Sequence, residues 1–134
     1  MIKNVTRISF AIMMVVFLIS CKNAKQKMQE YVVEYNKTAE SFKADNVTLT
    51  TARGYINNDK VELRFETNLE QNAANKTAAA TSFRKLLKEM INKNQIPKEL
   101  VEDKIQFDTY FLAEDNTVLS KEIINTETLS EIVK

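Results

Sequence analysis

Acid–base or nucleophilic chemistry in this chain would have to come from carboxylates, lysines, tyrosines or serines, because its 134 residues include no histidine, one cysteine and one glycine. Without histidine there is no Ser-His-Asp or Cys-His arrangement and no histidine-based zinc site. A single glycine, Gly54, rules out both a dinucleotide fingerprint and a P-loop. Glu62 and Glu66 fall on one side of a strand pattern, the spacing at which two carboxylates share a face, but a solvated strand face shows the same spacing and nothing around them suggests a cleft. Glu99, Glu102 and Asp103 sit in one helical turn, and no other ligand-type residues converge on them in the sequence. No catalytic residue, cofactor site or metal site is expected, and the chain reads as a non-enzyme.

The remaining reactive group is the thiol of Cys21, and its position is informative. Lys3 and Arg7 precede ten uninterrupted apolar residues, 10–19. At the helical rise that run is about 15 Å long, half of the ~30 Å hydrocarbon core, which suits the core of an export signal better than a permanent span. It ends in Leu18-Ile19-Ser20-Cys21, a branched apolar residue three places before the cysteine and a small residue directly before it.

This stretch resembles the lipobox of bacterial lipoproteins. The resemblance covers the signal alone and identifies no family for the domain behind it. It implies that residues 1–20 are removed, that the Cys21 sulfur receives a diacylglycerol, and that its new amine is acylated by a fatty acid such as palmitate. Multiple acyl chains make a stable anchor, at about 0.8 kcal/mol per buried CH₂. The expected location is therefore the cell envelope, with the lipid bilayer as a partner through acylated Cys21. Lys22 stands where some bacteria use aspartate for inner-membrane retention, which favours the outer membrane.

With Cys21 lipidated, no thiol remains for a disulfide, so an ordinary core must hold the fold. Removing residues 1–20 from a chain of 134 leaves 114, enough for one domain with a hydrophobic core. The organisation expected is a signal over 1–20, a lipidated cysteine and short polar tether over 21–27, and a single domain over 28–134. Loss of Lys3 and Arg7 turns 19 basic and 18 acidic side chains into 17 and 18. A balance so near zero argues against a nucleic-acid partner.

The elements that must position any site follow from periodicity. Met28, Val32, Tyr35, Ala39 and Phe42 recur at 4-3-4-3 spacing and predict a first helix over 24–45, packed on its own domain. It begins almost directly after Cys21, which would hold the domain close to the bilayer, with Lys22, Lys25 and Lys27 in reach of anionic headgroups. Residues 47–56 and 60–67 read as a hairpin turning at Asn57-Asn58-Asp59. Val61, Leu63 and Phe65 alternate with Glu62, Arg64 and Glu66, the pattern of a strand with one buried face. In the first strand the apolar parity changes, and Gly54 marks the expected bulge.

A second helix is predicted over 71–94, followed by a short helical turn from Pro97 to Glu102. A second strand pair over 104–112 and 118–124, with Ile105, Phe107 and Phe111 on one face, precedes a capping box at Thr128 to Glu131. The order α-ββ-α-ββ predicts a two-layer α+β domain, an antiparallel sheet of about four strands with helices on one face. Glu62, Arg64, Glu66, Gln106, Asp108 and Tyr110 then share the opposite face, either as a recognition surface or as what such a sheet shows to water.

Three classes of function stay open. The first is an envelope lipoprotein that binds a protein or peptide near the membrane. The second is an inhibitor or immunity-type lipoprotein that neutralises a toxin or hydrolase. The third is a carrier of a small apolar ligand between sheet and helices, which a cavity would favour and a filled core would oppose.

Overall fold

The computed structural model describes residues 23–134; the signal, the lipobox through Cys21 and Lys22 lie outside the described residues. Among the described residues no helix is long and apolar enough to cross a membrane.

Helix α1 (Ala24–Thr38) opens on a capping box: Asn23 Oδ1 accepts from the Gln26 N–H at 2.9 Å, and Gln26 Oε1 accepts from the Asn23 N–H at 3.4 Å. These bonds satisfy amide donors that an N-terminus otherwise leaves orphaned. The helix ends earlier than its stripe predicts. Thr38 Oγ1 donates back to the carbonyls of Glu34 and Tyr35, and Ser41 Oγ donates to the Thr38 carbonyl. Such local side-chain bonds compete with the helix, which tightens into a 3₁₀ turn over Ala39–Ser41.

Strand β1 (Val47–Tyr55) pairs antiparallel with β2 (Lys60–Thr67) across a turn in which Asp59 takes the left-handed conformation at φ 49°. The bulge expected at Gly54 lies instead between Val47 and Leu49, and Gly54 pairs in register with Val61. The parity change is real but falls earlier: it keeps Val47, Thr50 and Ala52 on the helix side and turns Leu49 outward, half-exposed.

Helix α2 (Ala73–Asn92), capped by Asn72, and the short α3 (Lys98–Glu102) carry the chain back across the sheet. Strand β3 (Gln106–Leu112) therefore starts beside the start of β2, where the Gln106 N–H donates to the Asp59 carbonyl at 2.9 Å. The two central strands are consequently parallel, which corrects the expectation of a wholly antiparallel sheet. Strand β4 (Val118–Ile124) returns antiparallel to β3, and the spatial order is β1-β2-β3-β4. Because β1 and β3 run in opposite directions, the two αββ halves are not repeated by a shift along the sheet.

The α+β class and the four strands agree with the sequence reading. Helix α1 packs over β1 and α2 over β4, and both enter one core with the inner faces of β2 and β3. A chain of rings runs through it, Phe42 to Phe65 to Phe83 to Phe111, with centroid separations of 5.8, 5.6 and 5.0 Å. A second series joins Tyr35, Tyr31 and Phe107. Helix α4 (Leu129–Ile132) closes the core with buried Ile132. Its expected capping box is not formed: Thr128 Oγ1 donates instead to the Ile123 carbonyl and accepts from the Asn125 N–H, tying off the end of β4.

Candidate functional site

The six polar residues singled out in the sequence do share the sheet face opposite the helices. Register places Glu62 beside Asp108, Arg64 beside Tyr110, and Tyr110 beside Lys121. Much of this face is engaged with itself. Asp108 is buried, held by Lys60 Nζ at 3.4 Å and by Gln106 Nε2 at 2.7 Å. Tyr55 receives Lys60 and Arg53 over its ring and donates to Glu62 Oε2 at 3.4 Å. Arg64 is the exposed member of the six. Glu62 and Glu66, four residues apart on one strand, have Cα atoms about 13 Å apart by strand rise.

The sequence reading missed a second feature, on the helix side. Because α1 lies over one edge of the sheet and α2 over the other, an open groove of ≈ 400 Å³ runs between them. Tyr31, Tyr35 and Phe42 form one wall and Leu86 and Met90 the other, with Glu34, Lys43, Glu89 and Lys93 among the groove residues. It continues toward Asn46 and Leu69 as a second cleft of ≈ 480 Å³ that shares Lys43, Leu86 and Glu89. Both are open to solvent rather than closed around a ligand.

Two hydroxyls set the chemistry of the tyrosine wall. Tyr31 donates to the Gln95 carbonyl at 2.7 Å, and Tyr35 shares a 2.6 Å hydrogen bond with Thr50 Oγ1. Burial pushes the Tyr31 phenol well above its ordinary range, and the neighbouring Tyr35 adds to it. Burial pushes Tyr35 up to about 12, against the pull of Thr50. Both stay neutral donors at physiological pH. Each is an aromatic body with a polar tip, a type well suited to contact surfaces. The available signal was Tyr31, four residues before Tyr35 and beside a stripe that otherwise reads as core.

The lysines after the anchor divide. Lys27 Nζ contacts Glu99 at 2.8 Å and Asp103 at 3.8 Å, and the Glu99 hydrogen bond raises its pKa. Lys27 is thus committed to α3 rather than to a headgroup, and Glu99 and Asp103 have a structural partner. Lys25 is exposed, and Lys22 lies outside the described residues. Among the described residues no group of three His, Cys, Asp or Glu is placed to hold a metal ion.

No family model, no curated protein and no solved structure matches this chain at a significant level.

Proposed function

We propose that the protein is a lipid-anchored lipoprotein of the bacterial cell envelope, attached through Cys21, that binds a peptide segment of another envelope protein near the bilayer and catalyses no reaction. The observation that carries this reading is the groove between α1 and α2, concave, aromatic-walled and edged with charge of both signs. It belongs to a helix that begins three residues after Cys21 and whose first turns are clamped by the Asn23 capping box, by Lys27 to Glu99 and by Tyr31 to Gln95. A lipid on Cys21 would therefore hold the groove within a short, fixed reach of the membrane, and Lys22 favours the outer membrane. The polar share of the groove lining and the ring-filled core speak against a carrier of an apolar ligand.

The test is affinity capture from native membranes with the lipidated protein, set beside a variant in which exposed Glu89 and Lys93 exchange charge, Glu89→Lys with Lys93→Glu. The expected result is a reproducible partner recovered by the wild type and lost by the variant, while both remain membrane-bound. Recovery of the same proteins by both forms, or of none by either, would count against the groove as the binding surface.

A further inference from the structure

Side chains of the protein cover part of each edge of the sheet. On β1 the side chain of Asn36 satisfies both outward groups of Ala52, donating Nδ2 to its carbonyl at 2.9 Å and accepting its N–H at 2.8 Å. That side chain covers the middle of the β1 edge, at Ala52.

On β4 the directions of the backbone groups follow from side-chain bonds. Thr109 Oγ1 on β3 donates to the Glu122 carbonyl at 2.6 Å, so the backbone groups of Glu122 face β3. By the alternation of an antiparallel ladder, those of Lys121 and Ile123 face outward. Thr128 Oγ1 occupies the Ile123 carbonyl, as that alternation requires. The outward N–H and C=O of Lys121 have no such partner among the described residues.

The side chains along this edge form a pattern. Strand β4 bulges opposite Phe111 and Leu112, which pair with Ser120 and Val118. The extra residue makes Val118, Lys121 and Ile123 successive positions on the face away from the helices. Val118 and Ile123 are two of the exposed large hydrophobic residues, at 44% and 36% exposure. Between them the exposed Lys121 ammonium lies 5.1 Å from the centroid of the Tyr110 ring and makes no ion pair among the described residues. The edge thus reads apolar, cationic, apolar.

We propose that this edge of β4 accepts an extended segment of a partner protein, added antiparallel as a fifth strand, in which an acidic residue meets Lys121 and apolar residues two places to either side meet Val118 and Ile123. Main-chain bonds to Lys121 supply binding and the alternate side chains supply choice. A second copy is the wrong occupant: two-fold pairing of β4 on β4 about Lys121 sets two ammonium groups directly opposite, which is destabilising. The site is separate from the groove between α1 and α2. It goes beyond the groove reading by naming a second surface and the ligand chemistry that fits it.

The experiment titrates the full chain, purified in detergent, with two synthetic probes read by fluorescence anisotropy: Thr-Val-Thr-Glu-Thr-Val-Thr and the same peptide with Lys in place of Glu. The Glu probe should bind more tightly by about fivefold, the upper range of a cross-strand charge pair. Lys121→Glu should reverse the order of the two probes, a result that misfolding cannot mimic. Amide exchange at Lys121 should slow when the Glu probe is bound. Equal binding of both probes, an unchanged order in Lys121→Glu, unaltered exchange at Lys121, or no binding of either probe would each overturn the proposal. Membrane capture that depends on Glu89 and Lys93 would stand unaffected by any of these.

Discussion

Asn36 on α1 hydrogen-bonds both backbone groups of Ala52 on the edge strand β1, at 2.9 and 2.8 Å, so a side-chain amide stands where a neighbouring strand would. Asn36→Ala leaves a part-buried N–H and C=O without partners and should cost about 1–3 kcal/mol. Asn36→Asp keeps the acceptor but sets a carboxylate against the Ala52 carbonyl, and should do no better. Urea midpoints measure the loss. Light scattering of the folded variants should also rise, since more of the β1 edge is then open to other chains.

Gly54→Ala should stabilise the protein. A Cβ at this position would lie 3.5 Å from Val32 Cγ2 and 3.9 Å from Met28 Cε, ordinary contact distances. The residue pairs regularly with Val61, so no bulge demands glycine. Restricting the unfolded chain should then contribute about 0.4–1 kcal/mol. A lower urea midpoint in the variant would show that the strand backbone here does need glycine.

Phe83 is fully buried, stacked on Phe111 at 5.0 Å and edge-on to Phe65 at 5.6 Å, and so joins α2 to both central strands. Phe83→Ala should remove about 3–5 kcal/mol, a large part of the stability of a domain this size. Half-buried Phe42, which touches the same series only at its end, should cost less when truncated. Equal losses at the two positions would contradict the ring series as the centre of the core.

Alkali should unfold the protein in a defined window. An unfolded chain releases tyrosine protons near pH 10, whereas burial holds Tyr35 to about 12 and raises Tyr31 in the same direction. Above pH 10 the unfolded state is therefore the one that loses protons, and its population rises with pH. Stability should be intact below about pH 10 and decline from there through pH 12, by up to about 1.4 kcal/mol per pH unit for each tyrosine. Urea midpoints across this range test it. Tyr35→Phe should flatten the slope, and an identical slope in that variant would remove Tyr35 as its source.

Cys21→Ala should abolish incorporation of labelled fatty acid and release the protein from membranes, leaving the fold over 23–134 unchanged by circular dichroism. Persistent acyl labelling would overturn the anchor assignment.

Residue type and period determined much of this molecule. Strict alternation over Val61 to Glu66 makes β2 one-sided, and the stripe from Met28 to Phe42 makes α1 amphipathic, so four strands and a helical layer were legible. The six polar residues of the outer face followed from the same alternation, since parity along a strand is a local property. The composition, with no histidine and a single glycine, excluded whole classes of chemistry, and Leu18 to Cys21 supplied the one specific motif.

What depended on distant parts of the chain was decided only in three dimensions. The parallel pairing of β2 with β3 arises because α2 returns the chain to the start of β2, a matter of where a long connection ends. Bulge positions came from cross-strand register, which moved the irregularity from Gly54 to Thr48 and placed another where β4 meets Phe111 and Leu112. The groove exists because α1 and α2 settle over opposite edges of the sheet, and Asn36 became an edge clamp because a helix face met a strand 16 residues later. Local sequence determines which face of an element is apolar; which neighbour covers that face, and which edge is left open, is set by the packing of the whole chain.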